Sequence, residues 1–226
     1  MSYLLAIETA TEVLSVALFS NGRLVEEATP KTEAATHCER LLPEISALLS
    51  RNSLTPHDLS AFAADVGPGS FTSLRVGLAT VMGLALEKKT QIYPVSSLEG
   101  LAAGVEGFSG PIATVLPAGR GMIYGAVFEK SGDALKTIVD ESSFFPESFV
   151  ESLKPFSKGL FVTGTASLSL PTSLKGVTVR RAFPTARSVG LMALSGKISP
   201  CSIGDLRIRY LKSPDLGMSR LLRQTP

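Results

Sequence analysis

Three short apolar runs open the chain, from Tyr3 to Ile7, from Val13 to Phe19 and from Leu24 to Ala28, and Asn21-Gly22 separates the last two. Asn-Gly between apolar runs is a strong hairpin signal, because both residues tolerate positive φ. The chain is therefore expected to begin as an antiparallel three-stranded meander. Leu41, Leu42, Ile45, Leu48 and Leu49 then fall on one helical face. Pro43 sits inside that stretch and removes a hydrogen bond to the Glu39 carbonyl, so a kink or a late start is expected there. Ala61 to Val66 reads as a strand, Gly67-Pro68-Gly69 as a sharp turn, and Ser70 as the cap of a second helix running to about Glu87. A strand from Ile92 to Val95 and a short helix from Ser97 complete the order βββαβαβα.

Gly104, Gly107, Gly110 and Pro111 make a glycine-rich break, after which the pattern repeats. Pro111 to Leu116, Met122 to Phe128 and Leu135 to Val139 read as strands. Pro146 to Leu153 reads as a helix, Leu160 to Thr163 and Val177 to Val179 as further strands, and Thr185 to Leu194 as a closing helix. A second helix of this half, around Ala166 to Leu170, is broken by Pro171. The duplicated order describes an α/β chain of the actin-like (ASKHA) fold. It would have two ribonuclease-H-like βββαβαβα halves, 1–109 and 110–226, the second degenerate.

The 226 residues are 44% hydrophobic and 19% charged, a globular composition, with a formal charge of only +2. So small a charge gives no large field for holding nucleic acid directly, and any RNA is expected to reach the chain through a partner. Two widely separated cysteines, Cys38 and Cys201, fit a reducing compartment. Without a signal peptide or an apolar run of about 18 residues, the expected location is the cytoplasm, with no membrane contact. The two histidines, His37 and His57, cannot make the i, i+4 pair of helical metal sites, and no Cys-x-x-Cys replaces it. No metal ligands are assigned, although an all-carboxylate magnesium site stays open. The phosphate-binding loops Gly-x-x-x-x-Gly-Lys-Ser and Gly-x-Gly-x-x-Gly are absent, as is Gly-x-Ser-x-Gly, and no catalytic residue is assigned.

Two segments hold candidate ligand contacts. Glu8, Thr9 and Thr11 lie in the turn between the first two strands, where actin-like kinases place an acid and hydroxyls toward nucleotide phosphates. An ordinary polar turn between buried strands fits them equally well. Gly69 and Ser70 begin a helix and would suit an anion, or belong to a type II turn with Pro68 and Gly69 at its centre.

From Val76 to Leu86 the second helix has no charge, and a helix apolar all round is normally buried all round. Ser73, Gly77, Thr80 and Gly83 place four small residues on one stripe, which lets another helix backbone approach closely. Packing against the first helix would use much of it. The sharper reading adds helices of another protein. On that reading Leu41, Leu42, Ile45 and Leu49 of the first helix face the partner. From the second helix come Phe71, Ser73, Leu74 and Gly77, then Thr80, Val81, Gly83 and Leu84.

Four segments resemble the TsaB (YeaZ) family. They are Ala6-Ile7-Glu8-Thr9-Ala10-Thr11, His37-Cys38-Glu39-Arg40-Leu41-Leu42-Pro43, Gly67-Pro68-Gly69-Ser70-Phe71-Thr72-Ser73-Leu74-Arg75-Val76-Gly77 and Val95-Ser96-Ser97-Leu98-Glu99-Gly100-Leu101-Ala102. The resemblance covers about the first hundred residues. It implies a partner subunit without chemistry of its own, paired through first-half helices with a TsaD-like catalytic subunit. With a TsaE-like ATPase, the pair supports threonylcarbamoyl transfer to adenosine beside the tRNA anticodon, and tRNA is met only through the complex. No cofactor is intrinsic on this view; ATP or ADP would sit at a junction with partner subunits. A homodimer through the same stripe is expected when the partner is missing. Departures from the family pattern are Glu8 for aspartate, Ser73 for glycine, and Pro117-Ala118-Gly119-Arg120 where Asp-Ala-Arg is common. The competing expectation is an autonomous actin-fold ATP-dependent phosphotransferase or a peptidase.

Overall fold

The computed structural model describes residues 2–30, 37–86, 88, 90–167 and 176–211. The first half is a five-stranded sheet of β1 (Tyr3–Glu8), β2 (Ser15–Ser20), β3 (Arg23–Ala28), β4 (Leu59–Asp65) and β5 (Gln91–Val95), in the order β3-β2-β1-β4-β5. β1 to β3 form the expected antiparallel meander, with φ of +48° at Asn21 and +79° at Gly22 in its second turn. β4 and β5 join in parallel, which requires crossovers. α1 (His37–Arg51) and α2 (Phe71–Ala85) supply them, and α3 (Ser97–Ala103) follows β5.

β1 and β2 read as unbroken apolar runs because both faces of the sheet are covered. Leu5, Ile7, Val16 and Leu18 face a core shared with α1 and α2. Leu4, Ala6, Ala17 and Phe19, on the opposite face, join a core containing α3 and α5 (Ala186–Leu194). The helix at α1 is continuous through Pro43. Neither Glu39, whose carbonyl loses its bond, nor Pro43 itself is buried, so the break meets water and the helix starts no later than His37.

The second sheet is built of β6 (Gly110–Gly119), β7 (Met122–Ser131), β8 (Ala134–Phe144), β9 (Phe161–Thr163) and β10 (Thr178–Arg180), in the order β10-β9-β6-β7-β8. Its antiparallel and parallel pairings match those of the first sheet. Ile112, Leu116 and Phe128 enter the α3–α5 core, so those two helices form a layer between the sheets. Ala113, Val115 and Val127 face α4 (Pro146–Leu153) on the other side. A Cβ at Gly190 of α5 would lie 2.1 Å from the Phe19 ring, so only glycine lets that helix settle on β2. The chain thus has the actin-like fold, two ribonuclease-H-like halves sharing one internal helical layer. Degeneracy shows in β9 and β10, which have three residues each. The helix expected around Ala166 to Leu170 lies largely outside the described residues.

Candidate functional site

The strand turns of the two halves face each other across a cleft of about 530 Å³. Ala10, Thr11, Glu12, Gly69, Ser70 and Ser73 line one side, while Leu116, Pro117, Ala118, Gly119 and Tyr124 line the other, with His37 and Thr165 at the margins. The first side is built by docking the segment at Gly69 onto the β1–β2 turn. The Ser70 N–H donates to the Ala10 carbonyl at 2.7 Å, and a Cβ on Gly69 would lie only 2.3 Å from that oxygen. Ser70 then caps α2 through a 3.5 Å bond from the Ser73 N–H. The expected type II turn is not formed: positive φ falls on Gly67 (+97°), with a cis Gly67–Pro68 peptide, and not on Gly69.

Of the five candidate ligand contacts, Thr11, Gly69 and Ser70 line the cleft; Glu8 and Thr9 do not. Glu8 is fully buried and Thr9 only 1% exposed. The Glu8 Oε1 accepts the Ala10 N–H at 2.9 Å, and the carboxyl group turns inward to hydrogen-bond Asp65 at the end of β4. Asp65 Oδ1 accepts the Gly67 N–H at 2.7 Å and the Ser97 hydroxyl at 2.6 Å. The oxygens left over, Glu8 Oε2 and Asp65 Oδ2, have no other partner. Two carboxyl groups can bond each other only if one is protonated. Burial, reinforced by the Asp65 charge, pushes Glu8 well above the usual carboxylate range, while burial raises Asp65 to about 6. Glu8 therefore holds the proton and donates to Asp65. Among the described residues lining the cleft, the acidic side chain is Glu12, and His37 is held below its ordinary pKa by burial. Sequence reading missed Asp65, whose signal was an acid closing a buried apolar strand ahead of Gly-Pro-Gly.

The helical stripe is corrected in phase. Gly77 is buried, and a Cβ there would lie 2.4 Å from Thr9 Oγ1; its notch holds the chain's own threonine instead of a foreign helix. Leu41, Ile45, Leu49 and Val81 are likewise buried in the chain's own core, and Leu74 is 1% exposed. Ser73, Thr80 and Leu84 are half-buried. The residues of the expected set that stay exposed are Leu42, Phe71 and Gly83. The outward stripe of α2 is Phe71, Arg75, Ala79 and Gly83, continued by Leu86 just past its end. Nothing lies within 4 Å of where a Gly83 Cβ would be. Leu42 of the neighbouring α1 is 54% exposed and Leu86 71% exposed. Ala79 and Gly83, spaced four apart, put two small exposed residues next to each other on that stripe.

No helix among the described residues is long and apolar enough to cross a membrane. The family model for TsaD, tRNA N6-adenosine threonylcarbamoyltransferase, matches residues 25–179. The tRNA threonylcarbamoyladenosine biosynthesis protein TsaB of Bacillus subtilis (strain 168) is 30% identical over 161 residues, 71% of this chain and 70% of that protein. TsaB of Escherichia coli (strain K12) is 30% identical over 173 residues, 74% and 73% of the two chains. The solved structure of YeaZ from Pseudomonas aeruginosa superposes with a TM-score of 0.79 at 25% identity, over 93% of this chain and all of that one. With that likeness in sequence and in fold, and the motif-bearing turns packed on each other as described, the chain belongs to the TsaB (YeaZ) family, within the wider group that the TsaD model describes.

Proposed function

We propose that this chain is a non-catalytic partner subunit that supports threonylcarbamoyl transfer to adenosine beside the tRNA anticodon, acting by heterodimerisation with a TsaD-like catalytic subunit. The observation that carries the reading is the outer face of α2, where Phe71, Ala79 and Gly83 are exposed around Thr72 and Arg75, beside the exposed Leu42 of α1. Such a face gains by burial against a helix, at about 25 cal/mol for each Å² of apolar surface removed from water. The cleft supports the non-catalytic part of the reading, since the acid and the first hydroxyl of the β1–β2 turn are spent inside the first half. We place ATP or ADP, a TsaE-like ATPase and the tRNA at junctions with the partner subunits. When the partner is absent, the same face pairs with a second copy of this chain.

Gly83→Arg, Ala79→Arg and Leu42→Arg each set a long cation on the face without touching the core. The expected result is normal folding, loss of binding to the TsaD-like subunit and loss of tRNA modification in cells that depend on the variant. Variants that bind and support modification as the unaltered chain does would overturn the proposal. Gly77→Arg is unsuitable as a probe, because it would strike Thr9.

A further inference from the structure

After α5 the chain returns to the first half and runs along its free edge. Cys201 and Ile92 exchange two backbone bonds, of 2.8 and 3.3 Å, across the outer side of β5. Leu206 is buried in the α1–α2 core, with Ile203 and Ile208 packed beside it. The Arg209 N–H donates to the Val66 carbonyl at 2.7 Å. Its guanidinium lies 3.1 Å from Glu141 Oε2 on β8, a side chain only 6% exposed. Glu141 is also held by a hydrogen bond with Ser96, the residue capping α3. Arg209 is thus tied to the first half through its backbone and to the second through its side chain. The next residue, Tyr210, stacks on Phe71 with ring centroids 5.8 Å apart, while the Arg75 guanidinium lies 3.8 Å from the centre of the Phe71 ring.

We infer that residues 201–211 form a strap that completes the partner-docking face, and that the Arg209–Glu141 pair is the latch that seats it. This rests on the proposed heterodimer and names a further part of its surface. Phe71 begins the outward stripe of α2, so Tyr210, itself 54% exposed, extends that stripe beyond the helix. Arg75 is the charged residue on the stripe, so the occupant is a TsaD-like subunit meeting the Phe71–Tyr210 corner with an apolar side chain and a carboxylate. Leu206 anchors the middle of the strap in the core, but beyond it the Arg209 backbone bond alone would let the end at Tyr210 fray. A charge pair whose acid is buried holds it more firmly, since losing one member strands the other.

The test combines hydrogen exchange of the isolated chain with affinity for the TsaD-like subunit. Arg209→Met is expected to speed exchange at the amides of residues 92, 201 and 209 by roughly tenfold or more, because it strands a buried acid without its ion-pair partner, with α1 amides unchanged. The same variant should weaken partner binding. Tyr210→Ala should weaken binding without moving exchange. If Arg209→Met perturbs the whole fold, Glu141→Gln, which removes the charge and keeps a polar group, provides the same readouts. Unchanged exchange in both latch variants would overturn the latch. Unchanged affinity in the Tyr210 and Arg209 variants, with Gly83→Arg still disruptive, would overturn the strap's place in the surface and leave the heterodimer standing. Undiminished binding by Gly83→Arg as well would overturn the heterodimer itself.

Discussion

Replacing Glu8 by Gln should stabilise the protein at neutral pH, although it removes a buried acid that makes specific hydrogen bonds. Glu8 is wholly buried, keeps its proton in a hydrogen bond to Asp65 and accepts the Ala10 N–H. In the unfolded chain the same group titrates near 4.5. Folding at pH 7 therefore obliges Glu8 to take up a proton that the unfolded chain has released. For a proton fully retained at pH 7 that uptake costs about 1.4 kcal/mol per pH unit above 4.5, a ceiling of about 3.5 kcal/mol. Glutamine is born neutral; its Oε1 can accept the Ala10 N–H and its NH2 can donate to Asp65, so both bonds survive without the uptake. The sign is that of an acid with a raised native pKa. The native state binds more protons than the unfolded one, so wild-type stability is full below pH 4.5 and falls as pH rises through the native value. Asp65, raised to about 6, adds a loss of the same sign between about pH 4 and 6. Thermal and urea denaturation of both proteins from pH 4 to 8 should show Glu8→Gln ahead by up to about 3.5 kcal/mol at pH 7. That ceiling corresponds to about 7–14 °C in a chain of this size, and the advantage should shrink toward zero near pH 4. A variant less stable than wild type at pH 7, or an offset that ignores pH, would refute the protonated pair and mean that Glu8 is held as an anion.

Three further substitutions test the packing. Gly77→Ala drives a methyl group into Thr9 Oγ1 and should cost about 1–3 kcal/mol in urea denaturation. Adding Thr9→Ala should recover part of that loss. Gly83→Ala meets open space in the helix and should raise the stability of the isolated chain by about 0.5–1 kcal/mol in the same assay, while weakening partner binding measured by titration calorimetry. Lys130→Met removes a buried ammonium that caps the end of α3 by donating to the carbonyls of Ala102, Ala103 and Val105. It should cost about 1–3 kcal/mol, seen as a lower thermal midpoint.

The elements of the first half were legible because their signals are local. Asn21-Gly22 fixed the hairpin, Ser70 the start of α2, and the gaps between apolar runs the alternation of strand and helix. Asp65 was not legible because its partners Glu8 and Ser97 are distant in the chain, and the phase of the α2 stripe was not legible for a related reason. A small residue in a helix announces that something comes close without saying what. Gly77 and Gly83 look alike in sequence, yet one holds Thr9, 68 positions earlier in the chain, and the other holds nothing. The strap from Cys201 to Tyr210 left no helical or alternating signature. Its order comes from single long-range contacts such as Arg209 with Val66 and Glu141.

The inward-turned residues also bear on how the work is divided between subunits. A side chain cannot be both the filling of an internal notch and a ligand for a substrate in a cleft. Thr9 fills the Gly77 notch, Glu8 keeps its proton in a hydrogen bond to Asp65, and the Ala10 carbonyl occupies the space above Gly69 while holding the Ser70 N–H. Each contact draws the β1–β2 turn, the end of β4 and the start of α2 onto one another. The β1–β2 turn thereby becomes the brace for α2. A braced helix loses little further freedom on docking, which is where much of an interface's gain is otherwise lost. On the proposed reading, then, the closed turn and the exposed helix are one arrangement: chemistry is left to the partner, and rigidity at the Gly83 face is what this chain supplies.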